Sequence, residues 1–340
     1  WRAVRRIMLH GDLGLGEAFM AGEWESTDPT AVLELFSANA LANGTSYQSS
    51  PVLRALQGVG RLMSSNTRRG AKRNLAAHYD LGNDFYSHPT MTYSSAYFAS
   101  GANDLESAQR EKYRALIAKT GITADDHVLE VGCGWGGFAC FAAEEVGCKV
   151  TALTISKAQH DYAVERVRAA GLTERVSIVL RDYRDERGQY DKVVSIEMFE
   201  AVGERYWPDY FRMLGQRLKR GGAAGLQIIT IDDRHFDDYR RGTDFIQRYI
   251  FPGGLLPPMS RLQRLTTGFG LASKHVGSFG GDYARTLAVW RDRFEGAWPD
   301  IEGLGFDERF RKMWLFYLHF CEAGFRAGLI DVRQMVLEKQ

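Results

Sequence analysis

The chain contains 340 residues, of which 45% are hydrophobic and 25% charged, and its formal net charge is +1. This length suffices for one large α/β domain and a smaller one, with a composition typical of a globular protein. A net charge so close to zero gives no general affinity for nucleic acid, and the sequence has no apolar run of the roughly 20 residues that a membrane-spanning helix requires.

Residues 1–63 are predicted to form a small, mainly helical N-terminal domain. Short helical patterns alternate there with glycine-rich turns, and 52–63 carries apolar side chains at helical spacing. That apolar face is interpreted as core or, alternatively, as a contact with lipid or with a second copy of the chain. A polar linker follows at 64–73, with the basic side chains Arg68, Arg69, Lys72 and Arg73. Such side chains either bind anionic lipid head groups or are simply solvated.

From residue 104 onward the pattern alternates between helix and strand. Helices are predicted over 104–120, 158–170 and 206–220. Strands are predicted over 127–132, 149–155, 176–182, 192–198 and 223–231. Two later β-rich runs, 273–279 and 334–338, are expected to add an antiparallel edge. The sequence therefore predicts an α/β fold with a doubly wound, mostly parallel sheet.

The most informative segment is Val128–Phe138, in which an apolar strand runs into a glycine-rich turn that opens a helix. Gly132, Gly134 and Gly137 fit the G-x-G-x-x-G pattern of dinucleotide enzymes, so the turn by itself allows either nicotinamide or S-adenosylmethionine. A nicotinamide site expects an acid at the end of the second strand, and the predicted second strand has none. Glu130 instead matches the E-x-G-x-G-x-G form of class I methyltransferases. The segment therefore favours S-adenosylmethionine.

Polar residues at the ends of the second and third strands are suited to bind the ribose and the adenine of such a cofactor. Thr154, Ser156 and Gln159 are placed to bind ribose hydroxyls, although Ser156 could equally cap the next helix. Asp182 ends the third strand, where a carboxylate either accepts a hydrogen bond from an adenine amino group or caps a helix.

The four cysteines form neither a C-x-x-C pair nor a metal-binding cluster with histidines. This pattern favours a reduced, cytoplasmic setting and predicts no metal ion. Cys321 lies within 314–327 among aromatic residues at helical spacing, so it is interpreted as a packing residue rather than a nucleophile.

Several motifs in order extend the analysis beyond the glycine turn. They are His78–Tyr86, Met91–Phe98, Val128–Phe138, Thr151–Gln159, Arg181–Asp185, Ser195–Gly203, Asp282–Trp290 and Phe320–Gly328. Together they resemble the cyclopropane fatty acid synthases and related S-adenosylmethionine-dependent acyl-lipid methyltransferases over nearly the whole chain. The resemblance implies a methyltransferase domain over 74–340. Within it, about 232–258 is a long irregular stretch between two ordered elements, and such insertions commonly form a substrate lid.

The resemblance also implies an activity and a location. The expected reaction is methyl transfer to the double bond of an unsaturated phospholipid acyl chain, giving a cyclopropane, methylene or methyl-branched product. The protein is expected to be cytoplasmic and peripheral on the inner face of the membrane, where it contacts phospholipid acyl chains. A homodimer is also possible. Two alternatives stay open: a methyltransferase of small molecules with a compact polar pocket, and a non-catalytic lipid-binding relative, against which the intact glycine turn argues.

The resemblance further implies a cofactor site and a base. The cofactor-binding residues implied are Tyr93, Ser94, Glu130, Gly132, Gly134, Trp135, Gly136, Thr154, Ser156, Gln159, Asp182 and Tyr183. In the cyclopropane enzymes that this chain resembles, the base that removes the proton is a bicarbonate ion. It is held by a glutamate, a histidine, a tyrosine and backbone amides. Glu200 and Tyr283 align with two of these, but Ile229 replaces the histidine and Ser95 replaces a cysteine, so bicarbonate is possible but in doubt. Glu200 is therefore predicted to take the proton, supported by Tyr283 and backbone near Ser95, with Glu197 as the fallback.

Methyl transfer to a double bond leaves positive charge on the acyl chain. Aromatic faces stabilise such a cation, and a base must be shielded from water. The aromatic candidates are Tyr93, Tyr97, Phe98, Phe199, Tyr249, Phe251 and Tyr283.

Overall fold

The computed structural model describes residues 1–43, 66–67, 70–71, 93–98 and 101–340. Several predicted features lie outside the described residues. These are the apolar face at 52–63, the domain boundary at residue 63, the basic side chains Arg68, Arg69, Lys72 and Arg73, and the motif His78–Tyr86. Within the described ranges, no helix is both long enough and apolar enough to cross a bilayer.

The strands confirm the predicted sheet. They are β1 (His127–Val131), β2 (Lys149–Thr154), β3 (Val176–Leu180), β4 (Tyr190–Ile196), β5 (Leu218–Ile231), β6 (Leu271–Ser278) and β7 (Ile330–Lys339). In the described part of the chain they form a seven-stranded sheet in the order β3-β2-β1-β4-β5-β7-β6. The first five strands in the chain pair in parallel, whereas β7 is antiparallel to both β5 and β6. The antiparallel strand β7 lies inside the sheet, and β6 forms the edge.

Helices flank this sheet. They are α1 (Arg2–His10), α2 (Asp12–Met20), α3 (Pro29–Asn43), α4 (Leu105–Thr120), α5 (Gly137–Glu145), α6 (Lys157–Ala169), α7 (Trp207–Arg217), α8 (Asp233–Tyr239), α9 (Met259–Gly268), α10 (Gly280–Gly296), α11 (Trp298–Gly303) and α12 (Glu308–Arg326). Capping side chains begin several of them: Ser107 N donates to Asp104 Oδ1 at 2.7 Å at the start of α4. The predicted helix 206–220 ends earlier, at Arg217, because Leu218 is already extended at the start of β5.

The stretch 232–258 is more regular than its sequence suggests. Asp232 Oδ1 accepts a hydrogen bond from Arg234 N at 2.9 Å and so caps α8. A π-helical turn follows at Ile246–Ile250. Such turns are frequent at functional sites.

The helices α2 and α3 pack against α12, and α1 packs against α2. Leu15 and Leu33 belong to one buried cluster with Phe245, Trp314 and Phe316. The contact is close, because a Cβ added to Gly16 would come within 2.2 Å of a Phe245 ring carbon and 2.8 Å of a Phe316 ring carbon. The predicted domain boundary at residue 63 lies outside the described residues and stays a prediction.

Candidate active site

A cavity of about 510 Å³ lies at the carboxyl ends of β1, β2 and β4. Ligands of open α/β sheets bind at this position. The cavity wall includes the glycine turn after β1, Glu197 and Glu200 after β4, and side chains of α2, α3 and α12. It therefore connects the predicted cofactor site with the N-terminal helices.

The glycine turn leaves its backbone open to the cavity. Gly132, Gly134 and Gly136 all have positive φ, at 86°, 51° and 79°, which glycine adopts most readily. A Cβ added to Gly132 would lie 2.5 Å from Met198 Cγ, so the chain is tightly packed there. A Cβ added to Gly134 would meet nothing within 4 Å. The space beside Gly134, close to the N-terminus of α5, is therefore open to a polar ligand.

Glu130 lies at the end of β1 beside this turn. It is only 3% exposed, and burial raises the pKa of its carboxyl to about 8. In the described part of the structure, its buried Oε2 atom has no hydrogen-bond partner. A buried carboxyl oxygen without a partner suits a ligand that carries hydroxyl groups. The residues around the turn therefore fit S-adenosylmethionine, and Trp135 and Tyr183 also line the cavity.

The polar residues after β2 form a small hydrogen-bonded group. Thr154 Oγ1 donates to Gln159 Oε1 at 2.8 Å and accepts from Ser156 N at 3.1 Å. Thr154 and Gln159 line the cavity. Ser156 Oγ accepts from Gln159 N at 3.3 Å and so caps α6, the second role predicted for it.

Asp182 fills the capping role considered for it, and its side chain also lines the cavity. Its Oδ1 atom accepts from Arg184 N at 3.0 Å and so caps a short 3₁₀ turn. The strand β3 ends at Leu180, before its predicted end at residue 182. The Asp182 side chain forms an ion pair with Arg184 at 2.6 Å and lines the cavity.

Tyr93 and Ser94 also line the cavity. The Tyr93 ring stacks on Trp290 with a centroid separation of 5.9 Å, and its hydroxyl donates to Tyr317 Oη at 3.3 Å. Ser94 Oγ accepts from the ammonium group of Lys112 at 2.6 Å. Lys112 is fully buried, and the loss of solvation lowers its pKa to about 7.

Glu197 accepts three hydrogen bonds in the cavity wall. Its Oε1 atom accepts from Ser95 N at 2.9 Å and from Gln227 Nε2 at 2.6 Å, and its Oε2 atom accepts from Tyr283 Oη at 2.8 Å. Burial raises the pKa of Glu197, while the positive charge of Lys112 and these hydrogen bonds act in the opposite direction.

Glu200 has a different environment. Its Oε1 atom accepts from Ile229 N at 2.5 Å, and its Oε2 atom is buried without a partner among the described residues. Burial, and secondly the nearby charge of Glu197, raise the pKa of Glu200 to about 8. The groups predicted to support Glu200, namely Tyr283 and the Ser95 backbone, contact Glu197 instead.

Bicarbonate does not fit these residues. Two donors expected to hold it, the Ser95 N–H and the Tyr283 hydroxyl, both donate to Glu197. Ile229 offers no side-chain donor at the position of the expected histidine. Across the described ranges, no group of histidine, cysteine, aspartate and glutamate residues is arranged to hold a metal ion.

The aromatic lining differs in part from the prediction. Of the predicted candidates, Tyr93, Phe251 and Tyr283 line the cavity. The others lie outside its described lining, namely Tyr97, Phe98, Phe199 and Tyr249. Phe199, for example, is 1% exposed and stacks on Trp207 in the core.

Sequence reasoning missed the contribution of α12. Tyr317, Phe320 and Phe325 line the cavity, with Cys321 beside them. Their helical spacing is visible in the sequence, where it supports only the interpretation of Cys321 as a packing residue. Burial raises the pKa of the Cys321 thiol, as expected for an unreactive packing residue.

The sheet order, the glycine turn and the partnerless carboxyl of Glu130 define a class I methyltransferase fold with a site for S-adenosylmethionine. Comparison with known sequences identifies the family within this class. The profile of the mycolic acid cyclopropane synthetases matches residues 66–335, and the chain belongs to this family.

Individual relatives agree with this assignment. The chain is 41% identical to the tuberculostearic acid methyltransferase UfaA1 of Mycobacterium tuberculosis, over 99% of this chain and 81% of that protein. It is 36% identical to the cyclopropane-fatty-acyl-phospholipid synthase of Escherichia coli, over 98% of this chain and 85% of that protein.

A solved structure supports the fold and the cofactor. The mycolic acid cyclopropane synthase CmaA1, crystallised with S-adenosylhomocysteine and CTAB, matches with a TM-score of 0.73 and 30% identity. The match covers 79% of this chain and 98% of that one. The predicted family, fold class and S-adenosylmethionine-dependent enzyme class are confirmed.

Proposed function

We propose that this protein methylates a carbon–carbon double bond in the acyl chain of an unsaturated phospholipid. One observation carries the proposal: a single cavity joins the glycine turn and Glu130 to an apolar region walled by Leu15, Leu33 and Phe36. S-adenosylmethionine, held by the turn, supplies an electrophilic methyl group. The apolar region suits an acyl chain, because burial of each CH₂ group contributes about 0.8 kcal/mol.

The chain's own residues provide the remaining requirements of the reaction. Tyr93, Phe251 and Tyr283 present aromatic rings to the cavity, and such faces stabilise a developing cation. The reaction requires that water be kept from the cation. Glu197 and Glu200 supply carboxyl groups to the cavity wall. The relatives named for cyclopropane synthesis and for fatty acid methylation support this chemistry.

We also propose that the protein works at a membrane surface, since its substrate is a lipid. The supporting feature is the basic segment 64–73, next to the apolar pattern at 52–63. A homodimer, formed through the same N-terminal region, is a further proposal.

The test is a reconstituted methylation assay. Purified protein is mixed with vesicles of unsaturated phospholipid and S-adenosylmethionine with a deuterated methyl group, and the acyl chains are analysed by mass spectrometry and NMR. The expected result is an acyl chain that has gained the labelled carbon, with NMR identifying a cyclopropane, methylene or methyl-branched product. Labelling of soluble amines or phenols instead of the acyl chain would show that the protein is a small-molecule methyltransferase.

A further inference from the structure

We infer that the carboxylate of Glu197 itself takes the proton from the methylated acyl chain, in place of a bound small anion. This inference rests on the proposed function. It assigns the proton to a side chain of the protein and makes the reaction independent of bicarbonate.

The first argument is the direction of the hydrogen bonds. A backbone N–H, a side-chain amide and a tyrosine hydroxyl all point at Glu197, and they come from Ser95, Gln227 and Tyr283. An ionised carboxylate only accepts hydrogen bonds, so this environment matches the ionised form. Oε1 already accepts two of these hydrogen bonds and Oε2 accepts one, so the lone-pair position that remains for an incoming proton is on Oε2.

The second argument is the contrast with Glu200. That residue accepts one hydrogen bond, from Ile229 N, and its other oxygen is buried without a partner among the residues described. Such surroundings favour the neutral acid, which cannot accept a proton. Burial accordingly raises the pKa of Glu200 to about 8. Paired carboxyl groups with unlike surroundings commonly divide the acidic and basic roles.

The third argument is the backbone at Glu197. Its φ of 50° is unusual for a residue with a side chain, and such strain costs about 1–3 kcal/mol. The surrounding contacts hold this strained conformation, and strain of this kind is concentrated at active sites. Here it directs the carboxyl group to the wall of the cavity beside Tyr283.

The chemistry balances without another reactant. The π electrons of the alkene form a bond to the transferred methyl carbon, and the C–S electron pair stays on sulfur. The second alkene carbon is then a cation. A neighbouring C–H bond breaks, its electron pair closes a cyclopropane ring or forms a new double bond, and the proton passes to an oxygen of Glu197. No reductant is needed for either product.

The test uses two variants of Glu197 and one matched control. Glu197→Gln keeps the size of the side chain and removes the basic oxygen. Glu197→Gly also relieves the backbone strain and leaves a space for a small anion. The control is Glu186→Gln, because Glu186 is 3% exposed and accepts from the Tyr190 hydroxyl and from Gly188 N but lies outside the described cavity lining.

Vesicle methylation should fall by about 10²–10⁴-fold in both Glu197 variants and stay within a few-fold of the parent in Glu186→Gln. Calorimetry should show nearly unchanged S-adenosylhomocysteine affinity in all of them. Formate should bind to Glu197→Gly but not to the parent, and it should restore part of the methylation. The parent should keep its activity in buffer freed of carbon dioxide.

Several outcomes would overturn the inference. These are near-full activity of Glu197→Gln, a loss of parent activity when bicarbonate is removed, or a large loss in Glu200→Gln with little in Glu197→Gln. A parent that labels no lipid would overturn the proposed function instead. The formate titration would then still show whether Glu197 fills an anion site.

Discussion

Glu197 and Glu200 show how strongly the surroundings of a residue control its chemistry. Both are buried carboxyl groups in one cavity wall, only a short distance apart in the chain. Glu197 accepts hydrogen bonds from three groups, which stabilise the negative charge of its carboxylate. Glu200 accepts one hydrogen bond, and its other oxygen has no partner in the described part of the structure. The residue type alone therefore does not distinguish a base from a neutral acid.

Replacing Glu200 by Gln should change how stability depends on pH. Burial raises the pKa of Glu200 from 4.5 to about 8, so between these values the folded protein binds a proton that the unfolded chain has released. Stability of the parent therefore falls as pH rises through this window. Glutamine does not titrate. We expect the difference in melting temperature, Glu200→Gln minus parent, to increase by a few degrees between about pH 5 and about pH 8. A constant difference would contradict the raised pKa.

A side chain at Gly134 should block the cofactor. Gly134→Val places branched carbons where the backbone is open to the cavity, so we expect S-adenosylhomocysteine affinity to fall at least tenfold, about 1.4 kcal/mol. Calorimetry measures this directly. The matched control is Gly171→Val, because Gly171 also has positive φ, at 69°, and open space for a Cβ, but lies outside the described cavity lining. Equal losses in both variants would indicate backbone strain rather than a blocked site.

At the scale of elements, the sheet was predictable and the contacts to Glu197 were not. The strand predicted at 127–132 is observed at His127–Val131, because an apolar run between turns is a local signal. The donors to Glu197 come from Ser95, Gln227 and Tyr283, on three separate segments. No local sequence pattern predicts contacts among segments so far apart in the chain. Resemblance predicts Tyr283 as a support of Glu200, whereas its hydroxyl donates to Glu197.

The helix α3 contributes one face to the cavity and one to solvent. Leu33 is 1% exposed and lines the cavity, whereas Leu35 is 65% exposed. Leu33→Ala should destabilise the protein by about 2–5 kcal/mol and raise the KM for vesicle lipid, with cofactor affinity unchanged. Leu35→Ala should change stability by no more than about 0.5 kcal/mol. Denaturant unfolding and vesicle assays measure both effects, and an unchanged KM in Leu33→Ala would remove α3 from the proposed acyl site.

At the scale of the whole molecule, the net charge of +1 gives no long-range attraction to a membrane. Binding to anionic lipid must therefore depend on local charge. Removing the charges of Arg68, Arg69, Lys72 and Arg73 should weaken binding to anionic vesicles by up to about a thousandfold, since each contributes about 1 kcal/mol. Added salt should weaken binding of the parent in the same way.

The control removes four charges elsewhere, from side chains that are at least half exposed. They are Lys157, Arg168, Arg212 and Lys274. Equal effects of the two sets would show that only net charge matters. Salt-independent binding would argue against the basic segment as a lipid contact.

The short segment 93–98 has a consequence for how the protein is made. Backbone N–H groups of Ser95, Ala96 and Phe98 donate to side chains 102, 190 and 184 positions further along the chain. Contacts between such distant positions form only after the intervening chain has been brought together, at a cost in entropy. Two of these partners lie on α10, at Asp282 and Thr286. On the proposed function, a chain still emerging from the ribosome therefore cannot methylate lipid before α10 has been synthesised, however early the glycine turn folds.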